Sequence, residues 1–141
     1  MSNNKKFLVK DLIIKKKDIP VLREKNLLKE ALEAMSNFKY GICFCVNSRG
    51  KLIGVLTDGD IRRKILNVQK PFSALLSDDL SMHINKKPSK VHGDNSLSAG
   101  LKLMKKKLIW DLPVVDKKNI LIGMLHLHPV VDVLIKKRNL I

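Results

Sequence analysis

Apolar positions along this chain recur with a period of two in some stretches and of three to four in others. The succession of the two patterns occurs twice. Gly54 follows Leu52-Ile53 and precedes Val55-Leu56; sixty-nine residues later, Gly123 follows Leu121-Ile122 and precedes Met124-Leu125. The same offset lays Ala31-Leu32 over Gly100-Leu101 and Met35 over Met104. It also lays Cys45-Val46-Asn47 over Val114-Val115-Asp116 and Gly50 over Asn119, with no gap. A fixed offset held through so many positions marks a duplication. The chain therefore predicts two copies of one α/β unit of roughly sixty residues.

Each copy reads β-α-β-β-α. A short extended piece (residues 19–22, then 89–91) leads through a polar turn into a helix. The helix has apolar positions Leu28, Ala31, Leu32 and Met35 in the first copy, and Leu97, Leu101, Met104 and Leu108 in the second. Asn95 or Ser96 suits the cap of the second helix, and Asn26 stands in a similar place before the first. Two β-rich runs follow, residues 42–46 and 52–56, joined by Asn47-Ser48-Arg49-Gly50 as a hairpin. Their counterparts, 112–115 and 121–125, are joined through Asp116-Lys117-Lys118-Asn119, where Asp116 shapes the turn. Final helices are expected over 58–66 and 129–137, with Pro129 in a first turn that tolerates its missing N–H. This divides the chain into a first repeat (9–66), a linker (67–79) carrying Pro71 and a short helical turn, and a second repeat (80–137). One copy alone has little core, so the two are expected to pack sheet against sheet.

Composition refines this picture. At 141 residues and 45% apolar the chain is globular, and with 4% aromatics its core must come from Leu, Ile, Val and Met. No apolar run approaches the ~20 residues that span a bilayer, and the polar opening is no signal peptide, so no membrane role and a cytoplasmic location are expected. Cys43 and Cys45 are too close in sequence to pair and read as buried free thiols. The net charge of +15 invites a nucleic-acid reading, but 23 of the 28 basic residues are lysine. Nucleic-acid surfaces favour arginine forks and aromatic platforms. A lysine-rich proteome accounts for the charge better, although the charge still suits phosphate-bearing ligands.

The repeat, with a Gly-apolar-apolar-Thr step leading into the last helix, resembles the cystathionine-β-synthase (CBS) domain, and two in tandem resemble a CBS pair, or Bateman module. The likeness covers roughly residues 9–137. Leu56-Thr57-Asp58-Gly59-Asp60-Ile61-Arg62-Arg63, Leu112-Pro113-Val114-Val115-Asp116 and Gly123-Met124-Leu125-His126-Leu127-His128 are similar to the C-terminal CBS pair of bacterial arabinose-5-phosphate isomerases. Those enzymes serve Kdo and lipopolysaccharide synthesis through an N-terminal sugar isomerase domain. The Thr-Asp-Gly-Asp run also occurs in CBS pairs attached to sugar nucleotidyltransferases. The chain shows no such isomerase domain and no Ser/Gly-rich phosphate loop.

The resemblance implies a regulatory module that binds a nucleotide or nucleotide-sugar, of CMP-Kdo or adenine-nucleotide type, in the cleft between copies. It implies no required cofactor, no catalytic residues, a homodimer formed through CBS pairs, and a separate sugar isomerase domain as a further partner. It implies that the Thr57 hydroxyl faces ligand phosphate and that Asp60 accepts from ribose hydroxyls, as an acceptor-only carboxylate can. The alternative is that Thr57 and Asp58 only cap the helix. Arg62 and Arg63 either reach a phosphate or acidic sugar or are solvated. In the second copy His126 takes the Thr57 position and Pro129 the Asp60 position, so the ribose acceptor is missing there. His126 and His128, if they alternate on a strand end, share one face and would contact phosphate or sugar acid; two histidines without a third ligand make no metal site. His83 and His92 read as surface or turn residues, and Trp110 as core or rim packing, with a base or partner subunit as alternatives. Two further readings stand beside the sensor: a remnant or fragment of an arabinose-5-phosphate isomerase whose catalytic domain is absent, and a dimerisation module with decayed ligand sites.

Overall fold

The computed structural model describes residues 7–138. Two sheets form its centre. The first holds β2 (Val21–Arg23), β3 (Ile42–Val46) and β4 (Leu52–Thr57), ordered β2-β3-β4. The second holds β1 (Ile14–Lys15), β5 (Val91–His92), β6 (Asp111–Val115) and β7 (Leu121–His126), ordered β1-β7-β6-β5. In each, a short strand runs parallel to the first arm of a hairpin: Val21 lies beside Phe44, and Val91 beside Val114. Helices α1 (Leu28–Phe38) and α4 (Leu97–Lys107) supply the parallel crossovers, α2 (Asp58–Asn67) and α5 (Leu127–Arg138) follow the hairpins, and α3 (Phe72–Leu76) lies in the connection.

The predicted mixed α/β pair packed sheet on sheet is what the structure has. Strand alternation sends Ile42, Phe44 and Val46 toward the other sheet, where they meet Val115, Leu121 and Met124 in one shared core. Cys43 and Cys45 point the opposite way, into the core under α1 with Ala31 and Met35. Both thiols are free, and burial pushes them up to about 12 and about 11. The hairpins also follow expectation. Asn47 Oδ1 accepts from the Arg49 and Lys51 N–H groups, Asp116 Oδ1 from those of Lys118 and Ile120, and Gly50 and Asn119 both take positive φ.

The two copies exchange their leading segments. β1 precedes the first repeat's sheet but pairs antiparallel with β7 of the second, Ile14 opposite Met124. Val9 is buried in the second repeat's core beside Val91 and Met104. The counterpart is the exchange of hydrogen bonds between Val55 and Asn85, which lays the connection on the edge of β4; Leu75 and Leu80 complete the first repeat's core. These crossings explain the two register-marking glycines. A Cβ on Gly54 would fall 2.5 Å from the Asn85 carbonyl oxygen, and one on Gly123 would strike the Ile14 carbonyl.

Three local expectations need correction. Asn26 does not cap α1: its Oδ1 accepts from the Arg23 N–H, and Glu30 satisfies the Leu27 N–H instead. Of the two caps expected for α4, Ser96 is the one that serves, and Asn95 accepts from the His92 N–H. Leu108 does not continue the apolar face of α4; it closes the helix at φ 55° and is 85% exposed. His83 lies in a turn, one of the two placements expected, but not at the surface. It is buried, with Nε2 2.8 Å from Asp78 Oδ2, and Lys70 Nζ holds the same carboxylate at 2.7 Å. Those two partners hold the Asp78 carboxyl below the ordinary aspartate range.

Candidate ligand-binding cleft

The end of β4 and the start of α2 build one wall of a cleft between the repeats. Thr57 is the N-cap of α2: its Oγ1 accepts from the Asp60 N–H at 3.2 Å, and Asp60 Oδ2 accepts from the Thr57 N–H at 3.0 Å. The capping reading of Thr57 therefore holds, with the hydroxyl proton left to donate elsewhere. Asp58 starts the helix, its N–H donating to the Gly41 carbonyl. Its carboxylate lies over Gly41, where a Cβ would come within 2.6 Å of Oδ2. Arg63 turns back over Gly59 to reach Asp60 Oδ1 at 2.8 Å. Arg62 is exposed and makes no side-chain hydrogen bond or ion pair among the described residues.

The other wall comes from the second repeat. Thr57, Asp58, Gly59 and Arg63 face Ile109, Trp110 and Asp111 across a cleft of about 400 Å³. Asp111 stands opposite His126 across the β6–β7 pair, and the two side chains are hydrogen-bonded through His126 Nδ1. Burial raises the Asp111 carboxyl above the ordinary aspartate range; the His126 bond pulls against this, and the charge of Asp58 adds to it. Tyr40 of the first repeat meets the His126 ring edge to face, with centroids 5.4 Å apart. At one end the cleft thus offers the Gly59 N–H in the first turn of α2, a hydroxyl and a guanidinium, which suit an anion. At the other it offers carboxylates and an indole.

Some predicted site residues gather here and others do not. Thr57, Asp58 and Arg63 line the cleft, and Asp60 is bonded to two of them, Thr57 and Arg63. His128 does not share a strand face with His126. The strand ends at His126, and His128 is the second residue of α5, exposed. Of the core or rim placement expected for Trp110, the rim is what the structure has: it is 65% exposed at the cleft mouth. Sequence reasoning missed Asp111 and Tyr40. A signal for Asp111 existed, since the sixty-nine-residue offset places it over the apolar Ile42.

The sequence matches the CBS domain over residues 9–67 and again over 78–134, and the chain belongs to that family as a tandem pair. An uncharacterised protein of Helicobacter pylori (strain J99) is 31% identical over 137 residues, covering 92% of this chain and 40% of that protein. The arabinose 5-phosphate isomerase KdsD of Francisella tularensis is 24% identical over 127 residues, covering 87% of this chain and 36% of KdsD. The chain spans well under half the length of the curated relatives it matches. Two solved structures share the fold over 94% of this chain and 98% of their own. They are CBSX2 in complex with AMP (TM-score 0.81, 23% identity) and the CBS domain pair of MJ0100 with 5′-methylthioadenosine and S-adenosyl-L-methionine (TM-score 0.78, 20% identity). Among the described residues, no helix is long and apolar enough to cross a membrane.

Proposed function

We propose that this CBS pair is a ligand sensor that binds a nucleotide in the cleft at the start of α2. The observation that carries the reading is the convergence of Thr57, Asp58, Gly59 and Arg63 from one repeat with Trp110 and Asp111 from the other around one space. The Gly59 N–H, the Thr57 hydroxyl and Arg63 receive the phosphate. Asp60 uses one lone pair for the Thr57 N–H and one for Arg63, leaving others for a ribose diol. Trp110 supplies a face for the base. Ligands of adenosine type in CBSX2 and MJ0100, which share this fold, support the adenine-nucleotide reading.

Because the ligand touches both repeats, occupancy favours one relative arrangement of them, and that differential affinity transmits a signal without chemistry. In the second repeat Pro129 replaces the acceptor and His126 is engaged with Asp111, so one site per chain is expected. The finer reading places the pair beside arabinose-5-phosphate isomerase in Kdo and lipopolysaccharide synthesis, with CMP-Kdo as the ligand; the likeness to KdsD supports it. Titration of AMP, ADP, ATP, CMP and a CMP-sugar acid separates these ligand classes. A chain that binds none of them contradicts the sensor reading.

The homodimer belongs to the same proposal. Helix α2 buries none of its residues, and Ile65 and Leu66 on it and Leu134 on α5 are exposed apolar side chains that a second copy would cover. Sedimentation equilibrium reads this directly: a dimer weakened by Leu66→Glu is expected, and a monomer at every workable concentration contradicts it.

A further inference from the structure

The duplication provides an internal comparison. Each repeat carries a groove at the C-terminal end of its first long helix, and the residues lining the two grooves correspond one to one at the sixty-nine-residue offset. Their floors agree: Leu32 and Met35 in the first, Leu101 and Met104 in the second. Their rims differ. Lys39, Gly41 and Asp58 in the first become Leu108, Trp110 and Leu127 in the second. One copy's groove is polar and the other's is apolar, on the same backbone.

Folding does not account for the apolar version. Leu108 holds the left-handed helix-closing position at φ 55°, and Lys39 fills the equivalent position at φ 62°. A leucine there is strained and, at 85% exposed, contributes little to the core. Trp110 is 65% exposed where the first repeat manages with glycine. Contiguous exposed apolar surface of this kind marks an interaction site. The groove is concave, about 250 Å³, a shape that receives inserted side chains and that a flat bilayer cannot fill.

Charge identifies the occupant. Lys105 lines the groove, and Lys102, Lys106 and Lys107 lie exposed on the same helix, which carries no acidic residue. Among the described residues none of these four lysines pairs with a carboxylate. A second copy seated groove to groove would bring the same four lysines against these. We propose that the second repeat's groove is the docking site for an acidic segment of a partner protein that presents apolar side chains on one face. Leu108, Ile109 and Trp110 line both this groove and the cleft between repeats, so a docked segment abuts the proposed ligand. The docking itself does not depend on the nucleotide reading.

Trp110 is the single tryptophan and reports on its own surroundings. The probe is a labelled helical peptide with leucines on one face and glutamates on the other, added without nucleotide. A control of the same composition is scrambled so that the leucines share no face. Saturable binding with a blue shift of Trp110 emission is expected, weakening with salt and weakening on the order of tenfold in Leu108→Lys and Leu127→Asp. The melting temperature of Leu108→Lys should stay at the parent value, since Lys39 is accepted at the equivalent position. Four results overturn the proposal: no binding, equal binding of the scrambled peptide, a blue shift with anionic phosphatidylglycerol vesicles but not with peptide, or self-association that Leu108→Lys abolishes.

Discussion

Thr57 and Asp60 exchange hydrogen bonds across the first turn of α2, the hydroxyl accepting from one backbone N–H and the carboxylate from the other. The two residues that would meet a ligand are therefore the two that start the helix. Their capping function can be measured apart from binding. Thr57→Ala should lower stability by about 1 kcal/mol in denaturant unfolding, within the usual range for lost caps, while Thr57→Ser should cost little. A Thr57→Ala variant as stable as the parent would mean that the reciprocal bonds do not stabilise the helix.

Glycine at 54 and 123 answers to the exchange of leading segments. Gly54→Ala and Gly123→Ala each drive a methyl into a backbone carbonyl, of Asn85 and of Ile14, and neither carbonyl belongs to a side chain that can turn away. A loss of roughly 1–3 kcal/mol or more is expected at each position in chemical denaturation, as for overpacked cores. Gly59→Ala is the contrast, since its Cβ meets only the end of the Arg63 side chain, and a small change is expected. Equal stability of all three variants would contradict the crossings.

The linker is tied down by Asp78, held between Lys70 and His83. Because the folded carboxyl lies below its ordinary range, its contribution is complete above the unfolded pKa, near pH 4, and fades as pH falls through the lower folded value. Melting curves of parent and Asp78→Asn should be well separated at pH 6 to 7 and converge below about pH 4. A gap that persists unchanged into acid would assign the difference to something other than the carboxylate.

Much of the fold was readable because duplication writes each element twice. The hairpins, the α1 and α4 faces and the sheet-on-sheet core follow from periodicity at matched positions, such as Met35 with Met104. The exchange of segments was not readable. β1 is two residues long, and its pairing with β7 is set by tertiary packing around Val9 and Ile14 rather than by any local pattern. Asn26 and Asn95 look like caps in sequence, yet side-chain bonds to Arg23 and His92 three residues back use the same chemistry for a turn. At the cleft, the run from Thr57 to Arg63 stood out because it is contiguous. The pairing of Asp111 with His126 stayed hidden, since residues fifteen apart meet only through the strand register.

The central claim is that a nucleotide binds between the repeats against Thr57 and Asp60. Isothermal calorimetry with AMP, on the parent chain and on Asp60→Ala, tests it most directly. Saturable binding near one site per chain, weakened on the order of tenfold or more in Asp60→Ala, is the predicted result. Binding that survives Asp60→Ala undiminished would contradict the account.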